Sequence, residues 1–208
     1  MGGSIEHLNL TFRAGEFRFR PLTTGDLPVV FSWLHDPEIA RWWGEPPAAI
    51  SDIEGKYTAR IDGSEAVSVL IVGRLGHPFA LLQWYLLPDH PDHPAFGLVP
   101  PGYAALDVFI GDKGGRSKGL GRRMLSIFLR EAFAQDPAVT GFAIDPAIAN
   151  KRAIASYRAV GFEPIGPGID ADTGEALLVM AVGRESFLRR GNPNPGANPA
   201  DAEQDQTG

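Results

Sequence analysis

Apolar residues in the first third of the chain change from the spacing of a strand to the spacing of helices. Residues 17–20 alternate apolar and basic side chains, as a half-buried strand does, and the following proline ends that strand. Apolar residues then recur every three or four positions in three stretches, each opened by a residue that caps helices well. The pattern predicts three successive helices, over residues 24–34, 36–43 and 51–61.

The rest of the chain alternates short apolar runs with amphipathic stretches. Two apolar runs flank a turn at residues 73–78, and a long proline-rich loop at residues 88–102 follows them. Gly161 follows an amphipathic stretch, as a glycine just beyond a helix does. Strands are predicted over residues 66–72, 79–87, 104–110, 140–144, 163–165 and 176–181, and further helices over residues 123–133 and 150–159. Strands and helices in this order predict a mixed α/β sheet.

One domain accounts for the packed part of the chain. We expect it to span residues 17–190, which is long enough to bury a full core. Residues 1–16 read as an irregular lead-in. Residues 191–208 contain no large apolar side chain and consist mainly of small and polar residues, so they predict a disordered tail.

Composition and charge narrow the class of protein. The 208 residues include no cysteine, which excludes disulfides and thiolate metal sites and fits a cytoplasmic location. The N-terminus lacks the pattern of a signal peptide, and no apolar stretch approaches the ~20 residues of a membrane helix. The net charge of −6 disfavours nonspecific nucleic-acid binding and favours a polycationic small-molecule partner. No pattern in the sequence indicates an oligomeric state.

A glycine-bearing loop joins the strand at residues 104–110 to the next helix. Glycines at the start of a helix let the backbone close around an anion, and the first-turn N–H groups and the helix dipole attract it. This is neither the P-loop, since Lys118 precedes its glycine, nor the three-glycine dinucleotide fingerprint. We therefore predict a site for a multiply phosphorylated ligand, with binding residues Arg116, Ser117, Lys118, Gly119, Leu120, Gly121 and Arg122. Arg116, Lys118, Arg122 and Arg123 are expected to add mobile positive charge.

The pattern R-x-x-G-x-G in this loop resembles the acetyl-CoA pyrophosphate loop of the GCN5-related N-acetyltransferases. A second motif supports the resemblance: residues 145–162 are similar to the second half of that core, in which Asn150 opens a helix ending in Tyr157-x-x-x-Gly-Phe162. The resemblance covers residues 17 to 185. It implies a single-domain acetyltransferase fold, with helices flanking a mixed central sheet and with a splayed strand pair that holds acetyl-CoA.

Two further segments resemble the aminoglycoside 6′-N-acetyltransferases within that superfamily. These are Trp42-Trp43-Gly44 and the strand segment Leu106-Asp107-x-Phe-Ile-Gly111. The resemblance implies acetylation of the 6′-amine of an amino sugar by direct transfer, with acetyl-CoA as the acyl donor. In the loop at residues 88–102, however, acids and prolines stand where those enzymes have many Glu and Trp residues.

The chemistry of acetyl transfer assigns a role to Asp107. An amine attacks a thioester only when neutral, yet a free alkyl amine titrates near ~10, and a carboxylate close to it can accept its proton directly or through a water. Asp107 precedes the cofactor loop on a strand, on the face opposite Val108. A backbone N–H of Val108 or Phe109 would stabilise the charge on the thioester oxygen. The resemblance assigns the base to Asp107, the acid that protonates the CoA thiolate to Tyr157, and cofactor contacts to Val108, Phe109, Ile110 and Asn150.

Substrate selection requires another group of residues. Adjacent residues on a helix cannot both face the core in the same way, so we expect Trp42 or Trp43 to face the acceptor. Alternate residues on a strand share one face, which groups Gln83 with Tyr85. The predicted acceptor contacts are Trp42, Trp43, Gln83, Tyr85, Asp145 and Asp172.

Three alternatives remain open at this point. The first is a siderophore-type acyltransferase acting on lysine or hydroxyornithine side chains, a relative that tends to place a histidine near the strand of Asp107. The second is a noncatalytic CoA-binding module. The third concerns His90 and His93, which lie near Asp89 and Asp92 and raise the possibility of a metal site. A proline-rich loop without outer hydrogen-bonding partners gives no sign of a held ligand geometry, so we predict no metal.

Overall fold

The computed structural model describes residues 10–190, which form one eight-stranded sheet with helices on both faces. The strands are paired in the order β1-β2-β3-β4-β5-β6-β8-β7. They are β1 (Phe12–Ala14), β2 (Phe17–Pro21), β3 (Ser68–Arg74), β4 (His77–Leu86), β5 (Tyr103–Ile110), β6 (Gly141–Ile144), β7 (Glu163–Ile169) and β8 (Ala176–Gly183). The helices are α1 (Leu27–Leu34), α2 (Pro37–Trp43), α3 (Ile50–Ile61), α4 (Leu120–Gln135), α5 (Lys151–Val160) and α6 (Arg184–Arg189).

The sheet is mixed, as the sequence predicts. Neighbouring strands are antiparallel except for β5 and β6, which are parallel. That parallel ladder is short, since it joins Tyr103 to Gly141, Ala104 to Phe142 and Ala105 to Ala143 and goes no further. Beyond Ala105 the two strands separate, which confirms the predicted splayed pair.

Alternate residues of the central strands face two different apolar clusters. On β4, Leu82 lies in a core beneath α4 and α5, whereas Leu81 lies in a second core beneath α1, α2 and α3. Buried aromatic residues fill both clusters, with Phe128 and Phe142 in the first and Tyr57 in the second. The sheet therefore has a cofactor-loop face, covered by α4, and an opposite face covered by the first three helices.

The elements differ from the sequence-based predictions mainly at the edges of the sheet. Residues 12–14 pair with β2, and Leu10 is buried, so the predicted domain boundary at residue 17 is too late. Strand β7 extends to Ile169 although prolines and glycines interrupt its apolar pattern. An edge strand tolerates such residues because one of its sides needs no ladder hydrogen bonds. The predicted lead-in before residue 10 and the predicted tail at 191–208 lie outside the described residues.

The start of the first helix also differs by one turn. A short 3-10 turn, Thr24–Asp26, precedes α1. Thr23 is the N-cap residue of that turn, and Asp26 rather than Thr24 is the N-cap residue of α1. The hydroxyl of Thr23 donates to the Asp26 carboxylate at 2.7 Å, and that carboxylate also pairs with Arg20. Asp36 caps α2, Asn150 caps α5, and Gly161 follows α5 in the left-handed conformation, as predicted. The cap predicted at Ser51 is wrong, because α3 begins at Ile50 and Ala49 is its N-cap residue.

Candidate active site

A cavity of about 810 Å³ opens where β5 and β6 diverge. It passes from the α4 face of the sheet to the α2 and α3 face. Of the predicted site residues, only Lys118 and Leu120 do not line it. The predicted residues that line it are Trp42, Trp43, Gln83, Tyr85, Asp107, Val108, Phe109, Ile110, Arg116, Ser117, Gly119, Gly121, Arg122, Asp145, Asn150, Tyr157 and Asp172.

The cavity exists because the chain after β6 follows β8 instead of β5. The N–H of Ile148 donates to the carbonyl of Ala176 at 3.0 Å, and the N–H of Leu178 donates to the carbonyl of Pro146 at 2.9 Å. These bonds draw residues 145–148 toward β8. On the β6 side, the backbone of residues 106–110 is left without a strand partner.

The loop before α4 has the backbone geometry that an anion site requires. Gly119 caps α4 with a φ of 72°, in the left-handed region that favours glycine, and Ser117 also has a positive φ of 61°. Helix α4 is 16 residues long and carries no acid in its first turn, so its N-terminal N–H groups and dipole favour a negative ligand. Lys118 and Arg122 are exposed beside it. The residues present therefore fit a phosphate-bearing group.

Arg116 corrects one expectation, because its side chain is not mobile positive charge. The guanidinium contacts Asp36 at 2.7 Å and Glu38 at 2.9 Å, and it donates to the carbonyls of Ile110 and Gly111. Its side chain is only 10% exposed. The two acids lie at the N-terminus of α2, so Arg116 holds that helix against the end of β5.

Arg123 likewise does not supply mobile charge, since it pairs with Glu16 at 2.8 Å. The sequence signals the basic residues of this loop but not their partners, which come from segments about 80 and 110 residues earlier. Among the predicted loop cations, Lys118 and Arg122 are the exposed ones.

Asp107 lies on β5 directly opposite Gln83 of β4. The Gln83 amide nitrogen donates to the Asp107 carboxylate at 2.9 Å, and the Tyr85 hydroxyl also donates to it. Burial at the floor of the cavity raises the pKa of Asp107, while these hydrogen bonds and the charges of Arg60 and Lys56 oppose the rise. A carboxylate with a raised pKa is a better proton acceptor than an ordinary aspartate.

These contacts change the picture of Gln83 and Tyr85. Both line the cavity and share a face, as predicted, and their polar groups bind the Asp107 carboxylate, so their contact with the acceptor stays a prediction. Gln83 is only 8% exposed. The register of β4 on β5 determines this contact, and register is not visible in either strand alone.

Tyr157 and Asn150 lie on α5, on the other side of the cavity. The Asn150 side-chain oxygen accepts from the N–H of Ala153 at 3.1 Å, so this residue caps the helix while also lining the cavity. Burial raises the pKa of Tyr157, and the negative charges of Asp107 and Asp145 raise it further. Tyr157 therefore keeps its proton at neutral pH, as an acid for a thiolate must.

The wall formed after β6 and between β7 and β8 is acidic. Asp145 and Asp172 line it as predicted, and so do Asp170 and Glu175, which the sequence analysis did not single out as acceptor contacts. Burial, with a further contribution from the charge of Asp107, raises the pKa of Asp145 to about 7. Asp170, Asp172 and Glu175 lie in one short loop, at residues 170–175, and this clustering is the sequence signal that groups them.

Of the two histidines in the proline-rich loop, His93 packs against the acidic wall and His90 packs against Tyr85. His93 accepts the N–H of Ala95 on its Nδ1 at 3.0 Å, and its Nε2 faces Asp145 at 3.7 Å. Burial lowers the pKa of His93 to about 4, so the ring is neutral at physiological pH. The His90 ring lies 4.3 Å from the Tyr85 ring. Within residues 10–190, no group of three or more potential metal ligands forms.

Both tryptophans of α2 are half-buried and line the cavity. The Trp43 ring packs edge-on against Phe109 with 4.7 Å between ring centroids, which ties α2 to β5. The Trp42 ring lies under the guanidinium of Arg41 at 4.6 Å. Neither residue belongs wholly to the core, so both are available to an acceptor. Among residues 10–190, no helix is long and apolar enough to cross a membrane.

Three comparisons with known proteins agree with this geometry. The chain is 29% identical over 172 residues to an aminoglycoside N(6′)-acetyltransferase type 1 of Klebsiella pneumoniae, covering 82% of this chain and 84% of the relative. A structure of AAC(6′)-Ib with ribostamycin and coenzyme A matches at a TM-score of 0.76 and 26% identity, covering 86% of this chain and 99% of that one. Another structure of AAC(6′)-Ib, with coenzyme A and kanamycin, matches at a TM-score of 0.74 and 27% identity, covering 83% of this chain and 98% of that one.

The family itself follows from a match over most of the domain. The profile of the acetyltransferase (GNAT) domain matches residues 23–168, from the cap before α1 to near the end of β7. That span contains the splayed strand pair, the glycine loop before α4 and the α5 helix that carries Tyr157. The chain belongs to the GCN5-related N-acetyltransferase family.

Proposed function

We propose that the protein transfers the acetyl group of acetyl-CoA to the 6′-amine of an aminoglycoside. The observation that carries this proposal is the position of Asp107. Its carboxylate is held by Gln83 and Tyr85 at the floor of the cavity, between the loop before α4 and the acidic wall. Relatives named for this activity match over most of their length and support the same assignment.

The donor fits the side of the cavity that faces α4. The N–H groups from residue 116 to the start of α4 would hold its pyrophosphate, with Arg122 as an exposed cation beside them. Bound there, acetyl-CoA supplies an activated thioester. The unpartnered β5 backbone would then present an N–H of Val108 or Phe109 to the thioester oxygen as negative charge develops on it.

Two proton transfers follow from the placement of the side chains. Asp107 accepts a proton from the acceptor amine, directly or through a water, and the burial that raises its pKa favours this role. Tyr157, protonated at neutral pH, gives a proton to the departing thiolate. Base and acid lie on β5 and on α5, two elements that line the same cavity.

The acceptor side fits a molecule with several ammonium groups. Four carboxylates from residues 145–175 line one wall, and the rings of Trp42 and Trp43 line another. Carboxylates bind the ammonium groups that are not acetylated, and indole faces bind sugar rings and cations. We place the enzyme in the cytoplasm, where acetyl-CoA is available.

A thiol-release assay with a matched panel of acceptors tests the proposal. Kanamycin and tobramycin should release CoA thiol, whereas an aminoglycoside with a hydroxyl at the 6′ position should not. The Asp107→Asn variant should lower turnover by about 10²- to 10⁴-fold while its acetyl-CoA affinity stays within about twofold of the parent. Release with lysine or hydroxyornithine derivatives alone would replace the proposal with the siderophore-type reaction. Release with no amine, despite tight CoA binding, would favour a noncatalytic module.

A further inference from the structure

We propose that Arg60 is a positioning residue for Asp107, acting through the side-chain amide of Gln83. The inference rests on the proposed function, in which Asp107 is the base, and adds a residue that touches neither substrate. Arg60 lies on α3, one turn after Lys56, on the face of the sheet that also carries Asp107. It is not one of the residues that line the cavity.

A continuous chain of hydrogen bonds joins Arg60 to the base. The Nη1 of Arg60 donates to the Oε1 of Gln83 at 2.9 Å, and the Nε2 of Gln83 donates to the Oδ2 of Asp107 at 2.9 Å. The Glu65 carboxylate also binds the Arg60 guanidinium, accepting hydrogen bonds from its Nε at 3.1 Å and from its Nη2 at 2.9 Å. The Arg60 side chain is only 14% exposed, so this arrangement is sheltered from water.

The chemistry of the two end groups dictates the orientation of the amide between them. Arginine only donates hydrogen bonds, and an ionised carboxylate only accepts them. Gln83 must therefore turn its oxygen to Arg60 and its nitrogen to Asp107. Without Arg60 nothing on that side would require the oxygen, and the amide would be free to turn its lone pairs toward the carboxylate.

This orientation matters because Asp107 must act in its ionised form. A donated hydrogen bond stabilises the carboxylate, whereas an amide oxygen facing it would favour the protonated acid. The charged and titratable groups around Asp107 are Lys56, Tyr57 and Arg60 from α3, Tyr85 from β4, Asp145 after β6 and Tyr157 from α5. Loss of Arg60 removes both a positive charge and the hydrogen bond that fixes the orientation of the Gln83 amide, so the experiment must separate these two effects.

A double-mutant cycle separates them. Arg60→Met, Gln83→Leu and the double variant are compared with the parent for kcat and both KM values from pH 5.5 to 9. We expect Arg60→Met to lower kcat at pH 7 by about three- to tenfold, the value of a well-placed hydrogen bond. In Arg60→Met, the acidic limb of the pH profile of kcat should move to higher pH. The KM of this variant for acetyl-CoA should stay within about twofold of the parent.

The double variant decides the route of the effect. If Arg60 acts through the amide, the double variant turns over like Gln83→Leu alone. If the factors by which the two single variants lower kcat multiply in the double variant, Arg60 acts by its charge, and the proposal is overturned. Arg60→Lys, which can still donate to Gln83, should recover part of the loss. Arg18→Met, an exposed arginine on β2, three strands from β5 in the sheet, is the control and should behave like the parent.

A spectroscopic readout keeps this test independent of turnover. The side-chain NH₂ resonances of Gln83 are identified by their loss in Gln83→Leu. In Arg60→Met they should shift and exchange faster with water, because the amide is no longer held at both ends. Unchanged resonances would overturn the proposal even in an active enzyme. If the parent acetylates no aminoglycoside but these resonances respond as expected, the proposed substrate fails while the role of Arg60 stands.

Discussion

Asp145, which we propose as an acceptor contact, has a cost to stability. Its carboxylate is buried beside the charge of Asp107, and His93 next to it is neutral, so its pKa rises from 3.8 to about 7. A group whose pKa is higher in the folded state binds more protons when folded. The free energy of unfolding therefore falls as the pH rises from about 4 to about 7.

We predict that Asp145→Asn raises Tm at pH 8 and leaves it nearly unchanged at pH 4, where the parent carboxyl is also neutral. The same variant should raise the acceptor KM more than it lowers kcat, since it removes binding shared by the ground and transition states. Thermal unfolding at both pH values measures the first effect. Asp172→Asn, an exposed residue of the same wall, is the control. A Tm shift of equal size at pH 4 and pH 8 would contradict the assignment.

Single side chains differ in how far the sequence predicts them. Asp107 and Tyr157 can be proposed from the sequence because each lies in a motif of fixed spacing. Arg60 and Glu65 cannot, because the hydrogen bonds that link them to Asp107 cross from α3 to β4 and then to β5. The strand pattern predicts the face on which Gln83 lies but not its partner Asp107 on the neighbouring strand.

At the scale of elements, the loop before α4 can be tested at Gly121. A side chain at this position meets only ordinary contact with Ile110, at 3.5 Å from the Cβ, and the backbone has no positive φ. We predict that Gly121→Asp folds normally and weakens CoA binding by at least about tenfold, because it places a negative charge where helix N–H groups attract phosphate. Calorimetry with CoA measures this.

The matched control is Gly55→Asp, on α3, where a Cβ has no neighbour within 4 Å. It adds the same charge away from the loop and should leave CoA affinity within about twofold of the parent. Equal loss in both variants would mean that net charge, and not the loop, governs binding.

The docking of α2 on β5 gives a second prediction at this scale. The side chains of Arg116 and Asp36 are 10% and 8% exposed. Removing Arg116 takes away the closer cationic partner of this buried carboxylate and leaves the exposed Lys113 at 3.7 Å. We expect Arg116→Met to lower the free energy of unfolding by roughly 1–3 kcal/mol in urea titrations. Arg152→Met removes an exposed partner of Glu38 and should cost about 0.5 kcal/mol or less.

The pH dependence of this pair has a definite sign. The hydrogen bond from Arg116 lowers the pKa of Asp36 below the ordinary aspartate value of 3.8. A lowered pKa stabilises the folded state above that value, and the stabilisation is lost as the pH falls through the folded-state pKa. The difference between parent and Arg116→Met should therefore shrink in acid. A difference that stays constant down to pH 3 would contradict the ion pair.

The elements themselves were largely predictable from spacing, but the edges were not. Helical and strand periodicities gave the central strands and α1 to α5. Strand β1 is only three residues long, β7 contains two prolines, and α6 is six residues long, so none of the three gives a clear periodic signal. These short pieces are ordered by the strands and helices they pack against.

At the scale of the whole molecule, charge matching should govern how the acceptor arrives. The chain carries a net charge of −6, and the acidic wall concentrates part of that charge in the cleft. Electrostatic attraction of a polycation falls with salt, since the screening length drops from about 10 Å at 0.1 M to about 3 Å at 1 M. We predict that the KM for kanamycin rises with ionic strength, while the KM for acetyl-CoA does not rise in parallel.

The control is a variant that neutralises two wall acids, Asp172→Asn with Glu175→Gln. It should show a higher KM for kanamycin at low salt and a weaker dependence on salt. A dependence equal to that of the parent would place the attraction elsewhere on the molecule. Steady-state kinetics at a fixed pH over the salt series decides between these outcomes.

The edges of the sheet have a consequence for the behaviour of the protein in a crowded solution. A sheet can grow by pairing with a strand of another molecule wherever a long row of backbone N–H and C=O groups is exposed. One outer edge here is a strand of three residues, and the other, β7, carries Pro164 and Pro167, which have no N–H to offer. Within residues 10–190, the gap beside β5 is the open row that remains, and it lies inside the cleft. Within the described sheet, the short β1 and the prolines of β7 disfavour intermolecular pairing at the outer edges, whereas the open row beside β5 is available to a ligand in the cleft.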